Sequence, residues 1–395
     1  MSHERSPVRS SIRTCVALAV LAAGCRAAPQ TGLDPGALPF ALDSSRTSQV
    51  ADGASHHFFY SREGPWAIHV LEARTDRCWV PVALKSSGGA VGRATTSALV
   101  REAAAHEPLA GAVNADFFLF SPPGVPVGLM VANGNLIGGP IAQPAFAADS
   151  SGRAHIAQFE TRGHIESRGV RYPIAGWNRV APNGVALFDR GWGTATDTAS
   201  GVLEIGMEGH GTYRVARIDT TAAGIAISAT SAVLRVGRNA PPSVQDAMRS
   251  LREGDSVRVS VSLAPFHPRD AVGGRPVLVR DGVVATRLDT VGRQGFATGR
   301  HPRTAAGITR DGARILLVTV DGRQAPYSDG MSLPELASLM LALGAWEAVN
   351  LDGGGSTAMV IADGPSAFRI ANRPSDGGGE RAVGNAVALA QRCAP

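Results

Sequence analysis

Three segments hold the side chains best suited to chemistry. In Asn350-Leu351-Asp352-Gly353-Gly354-Gly355-Ser356-Thr357, a carboxylate leads into three consecutive glycines directly after an apolar run. Glycine allows close approach, so the N–H groups of such a turn can form a nest for phosphate-like oxygens. It is no Walker loop, because no Gly-Lys-Ser/Thr follows. Arg303, in Arg303-Thr304-Ala305-Ala306-Gly307, carries a guanidinium whose fork matches two oxygens of an anion, and Arg381 is a second, weaker candidate. Asn114 and Asp116 alternate with apolar neighbours before Phe117-Phe118, as at a strand end that turns polar groups into a pocket. Asp321, followed by Gly322, resembles Asp352 in setting, and each suits the role of nucleophile, general base or acid. Asp-Gly after a strand is also ordinary turn chemistry.

The elements that must position these residues are legible around them. The apolar runs Arg314 to Val320 and Trp346 to Leu351 read as strands ending at Asp321 and Asp352. Between them Ser332 and Glu335 make a capping box, Pro334 lies in the first turn, and Leu336, Leu339, Met340 and Leu343 form one apolar face before Gly344. The capping box accounts for Glu335 without catalysis, although Glu335 is also a candidate acid. If both strands belong to one sheet, the helix is a crossover and they run parallel, so Asp321 and Asp352 share an edge where ligands of such units gather. Neighbouring strands would separate them by about 4.8 Å and one intervening strand by about 10 Å. Asp281-Gly282 and Asp311-Gly312 each read as a two-residue hairpin turn.

Elsewhere short alternating runs dominate, in a chain with 47 glycines and 25 prolines. The fold class expected is α+β: a mixed β-sheet core with a few flanking helices, β-rich overall, including one β-helix-β unit near the C-terminus. Residues 165–268 read as strands with one helical stretch near Ser243 to Leu251, either a β-rich subdomain or more of one sheet system.

The ends set the compartment. Arg5, Arg9 and Arg13 precede the apolar stretch Thr14 to Ala23, too short to span a bilayer about 30 Å thick at about 1.5 Å per residue. Residues 1–24 therefore read as a signal peptide, and Leu21-Ala22-Ala23-Gly24-Cys25 looks like a lipobox with Cys25 as the lipidated N-terminus; ordinary cleavage near Ala27-Ala28 is the alternative. Residues 25–53 read as a flexible tether and 54–395 as the catalytic domain. The chain would be exported and anchored in the cell envelope. Cys78 and Cys393 are then the remaining thiols, and an oxidising compartment favours their pairing over two isolated buried thiols.

Several classes are excluded. The formal charge of +5 falls to +3 without residues 1–24, and its arginines are scattered, which argues against nucleic acid. No GxSxG elbow marks a triad hydrolase, and no HxH or DxH cluster marks a two-metal site. The histidines, His301 included, read as structural. No cofactor is required, though a divalent cation remains compatible.

Together the segments around Asn114-Asp116, Arg303-Gly307 and Asn350-Thr357 resemble the signature of the phosphodiester glycosidases, in the same order along the chain. Asp321-Gly322, Glu335 and the run from Asn372 to Arg381 add to the resemblance, which covers roughly residues 56–390 and is specific in the last third. It implies hydrolysis of a sugar-1-phosphodiester at the sugar side, freeing the sugar and a phosphomonoester. Asp352, Asp321, Arg303 and Glu335 would then be catalytic. Asn114, Asp116, Thr304, Asn350, Gly353, Gly354, Gly355, Ser356 and Arg381 would bind substrate. Many members of the family have glycine where Asp116 stands, which points Asp116 toward a sugar hydroxyl or a cation. A non-catalytic glycan-binding lipoprotein and a metal-dependent phosphodiesterase cutting the P–O bond are the rival readings.

Overall fold

Gly307, in the middle of a strand, shows how the layers fit: a Cβ there would come within 2.7 Å of Met340 Cε on a covering helix. In a computed structural model of the protein, the described residues are Met1 and 33–393, except 87–88, 140–141, 198–202, 222, 289–294, 365 and 378. The signal peptide and Cys25 lie outside them. Residues 1–33 and 34–395 are separate units, and all the elements belong to the second.

Among the described residues three α-helices, α1 (Thr96–Ala104), α2 (Pro242–Arg249) and α3 (Leu333–Ala342), accompany three sheets. The eight-stranded sheet runs in the order Ser44–Ala51, Ala54–Ser61, Trp66–Arg74, Arg314–Val320, Arg303–Thr309, Ala345–Asn350, Val277–Arg280 and Val283–Val284. The five-stranded sheet runs Phe368–Ile370, Met359–Ala362, Leu109–Asn114, Ala386–Gln391 and Trp79–Leu84. The two pack face to face, with Leu71, Leu317 and Val349 of one meeting Val113, Ile361 and Leu389 of the other in a shared core. α1 sets Leu99 and Val100 on the outer side of the five-stranded sheet, against Leu84, Ala112 and Ala388. α3 covers the outer side of the eight-stranded sheet, where Gly307 makes room for it. The body is thus layered helix, sheet, sheet, helix.

The third sheet contains a closed ring. The strands Ala154–Ser167, Val170–Trp177, Val185–Phe188, Ser231–Val236, Leu203–His210, Thr212–Asp219 and Ser256–Ala264 pair in that order, and the last pairs back onto the first. Ile165, Leu187, Ile205, Val215, Leu234 and Val257 are clustered with Met248 from α2 and Leu251 just beyond it. Ala154–Ser167 also pairs with Gln143–Ala148, which joins the ring to the rest of the sheet. Residues 165–268 therefore largely take the form of this ring.

One expectation needs correction. Within 25–53, expected to be tether, Ser44–Ala51 is an edge strand paired along Ala54–Ser61. Its exposed polar side chains hid it, because backbone pairing rather than an apolar face holds it in place. The strands ending at Asp321 and Asp352 lie in one sheet and run parallel, with Arg303–Thr309 between them and antiparallel to both, so the arrangement is the expected one with a single intervening strand. The capping box does form, with Ser332 N donating to Glu335 Oε2 at 2.8 Å. Cys78 and Cys393 form a disulfide with Cα atoms 4.8 Å apart, brought together because Ala386–Gln391 pairs with Trp79–Leu84. No helix among the described residues is long and apolar enough to cross a membrane.

Candidate active site

The strand Ala345–Asn350 delivers Asp352 and its glycines to one end of the facing sheets. Leu351 N donates to Thr304 O at 2.9 Å and Asp352 N to Ala115 O at 2.7 Å, so the turn is stitched to both sheets. Asn114, fully buried, completes the stitch: Nδ2 donates to Asp352 O at 2.6 Å, while Oδ1 accepts from Thr304 Oγ1 at 2.8 Å and Ala358 N at 3.1 Å. Asn114 and Thr304 thereby hold the loop and do not line the cavity beside it.

That cavity has a volume of about 440 Å³. Among the described residues Asp352 is the one carboxylate on its lining, and Gly353, Gly354 and Gly355 continue the same wall. Gly354 has φ +63° and donates its N–H to Pro302 O at 2.8 Å, and Ser356 N and Thr357 N bond within the turn. The expected nest is thus reduced to the N–H groups of Gly353 and Gly355. Ser356 is buried, and its Oγ has no hydrogen-bond partner.

Three arginines face this wall. Arg381 makes a bidentate pair with Asp376, at 2.7 and 2.8 Å, and a side chain at Gly355 would overlap that pair. Glu380 ties the same segment to the first turn of α1 through Ser97 N at 2.9 Å. Arg323 takes the left-handed conformation, φ +60°, which a residue with a Cβ adopts at a cost and which gathers at functional sites. Its guanidinium lies against Gly354, and Nη2 is 3.4 Å from His301 Nδ1. Burial, and then the charges of Arg303 and Arg323, push the His301 pKa down, so at neutral pH it faces the cavity uncharged.

Arg303 is more deeply placed than the sequence suggests. It is 1% exposed; Nε donates to Met331 O, and Nη2 donates to Phe296 O and Gly299 O, each at 2.8 Å. Those contacts shape the loop carrying Phe296 and His301, and they prevent a two-pronged grip through the same nitrogens. Burial lowers the Arg303 pKa to about 10, and its charge still borders the cavity. Phe117, Phe118, Phe120 and Phe296 form an aromatic wall.

Other candidates lie elsewhere. Asp321 is 1% exposed and absent from the cavity lining: Oδ1 accepts from Asn372 Nδ2 at 2.9 Å, Oδ2 from Tyr327 Oη at 3.1 Å, and both accept from Arg373 N at 3.0 Å. The carboxylate pair expected at one edge is therefore not assembled in this cavity. Glu335 caps α3 and grips Arg300, with Oε1 2.5 Å from Nη2, away from the lining. Asn350 donates through Nδ2 to Arg275 O at 2.8 Å, while its buried Oδ1 has no partner. Asp116 is 2% exposed and accepts from Gly128 N at 2.6 Å through Oδ2; Gly273 crowds it too closely for a Cβ, which would lie 2.7 Å from Oδ2. Burial, with the nearby Asp352 charge adding to it, raises the Asp116 pKa to about 7.

Arg323 and Phe296 were not singled out by sequence reasoning, and His301, read there as structural, lines the cavity. Arg323 stands two residues after Asp321, so its place in the motif was visible, but its backbone conformation was not. Among the described residues no group of three or more His, Cys, Asp or Glu is placed to hold a metal ion.

The carboxylate, the arginines and the glycine turn lie in a stretch that is similar to a known family. Residues 202–390 match the phosphodiester glycosidase family. Asp352, Arg303, Arg323 and Arg381 fall within the matched residues. A hypothetical protein from Synechocystis is similar in structure, with TM-score 0.75 and 21% identity over 88% of this chain and 64% of that one. A Burkholderia pseudomallei protein has TM-score 0.66 and 24% identity over 83% of this chain and 74% of that one. The catalytic domain of zebrafish N-acetylglucosamine-1-phosphodiester alpha-N-acetylglucosaminidase, auto-inhibited by its pro-peptide, has TM-score 0.44 and 14% identity over 89% of each chain. The first two share the fold, and the chain spans less than two thirds of the length of the Synechocystis protein. No curated protein matches the chain.

Proposed function

We propose that the chain hydrolyses the glycosidic bond of sugar-1-phosphodiesters of the N-acetylglucosamine type, releasing free sugar and a phosphomonoester from envelope or extracellular glycans. The observation that carries this reading is the cavity in which, among the described residues, Asp352 is the sole lining carboxylate opposite Arg303, Arg323 and Arg381. Cations and oriented N–H groups favour an anion and stabilise the charge that grows on phosphate as it departs. A departing phosphomonoester needs little help from a general acid, so one carboxylate suffices to attack the anomeric carbon or to activate water. Asp352 takes that part. Arg323, with the Gly353 and Gly355 N–H groups, holds the phosphate, and Arg381, paired with Asp376 through Nε and Nη2, braces the wall behind Gly355. Arg303 shapes the loop and adds its charge, and the phenylalanine wall accepts an apolar sugar face.

In the same reading the chain is exported and lipid-anchored through Cys25, and the Cys78–Cys393 disulfide suits an oxidising envelope. Incubation with methyl N-acetylglucosaminyl phosphate, followed by phosphorus NMR, tests the activity. Methyl phosphate is the product expected; N-acetylglucosamine-1-phosphate, or no turnover, counts against it.

A further inference from the structure

A second cavity, of about 580 Å³, is lined by Gln143, Gln158, Arg275, Arg280 and Arg287, with no carboxylate on its lining among the described residues. Arg280 is answered by Glu347, with Nη1 3.0 Å from Oε2, and also donates to Ile156 O. Arg275 is not satisfied in the same way: its Nε is buried without a hydrogen-bond partner. A buried guanidinium nitrogen in that state favours an anionic oxygen, which would supply the missing acceptor.

Arg275 also links this cavity to the first. Its guanidinium carbon stands 5.6 Å from the centre of the Phe117 ring, part of the active cavity's wall. Its carbonyl accepts from Asn350 Nδ2, two residues before Asp352. The neighbouring Gly274 packs so closely on Asn350 O that a Cβ would come within 2.9 Å. The second cavity is therefore built onto the strand end that delivers the reacting carboxylate.

We infer that this cavity binds a second phosphate group of the substrate, so that the natural substrate is a chain of sugar units joined by phosphodiesters rather than an isolated sugar-1-phosphodiester. The inference rests on the proposed function and extends it. One phosphate lies between Asp352 and the arginines of the first cavity, while its neighbour along the chain lies against Arg275 and Arg287. Free inorganic phosphate shares the recognition chemistry, so the test must separate the two sources.

The test measures binding rather than turnover, on the Asp352→Asn protein, by calorimetry. Its probes are inorganic phosphate, methyl N-acetylglucosaminyl phosphate and a short oligomer of phosphodiester-linked N-acetylglucosamine. The oligomer should bind at least about tenfold more tightly than the single unit, and Arg287→Ala should remove that gain while leaving the single unit unchanged. The advantage should shrink as salt is raised. Equal affinity for oligomer and single unit, an oligomer advantage that survives Arg287→Ala, or inorganic phosphate that matches the oligomer in an Arg287-dependent way would overturn the inference. Failure of the single unit to bind the unaltered protein counts instead against the proposed function.

Discussion

The closed ring and the end of the facing sheets both bury an arginine, and they treat its charge in opposite ways. In the ring, Arg235 is 3% exposed, with Nε 2.7 Å from Glu204 Oε1 and Nη1 2.7 Å from Asp197 Oδ1. Thr196 occupies the other Glu204 oxygen, and Phe188 lies under the guanidinium at 5.0 Å. At the sheet ends, Arg303 is held by three backbone carbonyls and, among the described residues, pairs with no carboxylate. Carbonyl dipoles fix a guanidinium in place without cancelling its charge, whereas carboxylates cancel it. The ring's arginine is closed upon itself. The cavity's positive field remains available to an anion.

Four substitutions test that contrast, in decreasing order of effect. Asp352→Asn should lower kcat by roughly a thousandfold or more with no change in melting temperature, because it removes the reacting carboxylate and keeps the shape. Activity within a few fold of the parent would move Asp352 out of the chemistry. Arg235→Met leaves Glu204 buried and unanswered, so chemical denaturation should show a loss of about 3 kcal/mol with kcat/KM unchanged. A fall in kcat/KM in well-folded protein would mean that the ring takes part in the reaction.

Arg323→Gly should cost about a hundredfold in kcat/KM while the fold keeps its stability, since glycine suits φ +60° and the lost group acts only on the bound phosphate. Loss of stability without loss of activity would reverse that assignment. The smallest effect concerns pH. The folded Asp116 pKa, about 7, lies above the ordinary carboxylate value, so between about pH 4 and 7 the folded state holds a proton that the unfolded state has released. Its protonation therefore stabilises the fold at low pH, and this contribution is lost as pH rises through that window. Asp116→Asn should flatten this part of the melting-temperature profile and gain relative to the parent at pH 8; parallel profiles would contradict the cause assigned to the shift.

Legibility in the sequence differed between the same two regions. At the sheet ends, local signals went far: Asp281-Gly282 makes the expected two-residue hairpin turn and the Ser332 capping box starts α3, while Asp311-Gly312 joins its two strands within a longer connection, residues 310–313. The glycine turn after Asn350 could also be read, because few backbones tolerate such a run. What stayed hidden depends on side-chain direction after folding. Arg303 and Thr304 are consecutive and so face opposite sides of one strand, which puts Thr304 on Asn114 and Arg303 on the loop carbonyls. Asp321 looked equivalent to Asp352, yet Asn372 and Arg373, about fifty residues later, claim its carboxylate. In the ring the strands themselves were visible from their alternation. Their closure was not, because the pairing of Ser256–Ala264 with Ala154–Ser167 joins segments about a hundred residues apart and leaves no local mark.

The central claim is that the cavity around Asp352 breaks the bond between the anomeric carbon and oxygen rather than a bond to phosphorus. Hydrolysis of methyl N-acetylglucosaminyl phosphate in oxygen-18 water, read by mass spectrometry, tests it most directly. The account predicts the label in the released sugar and unlabelled methyl phosphate. Label in the phosphate product would contradict it.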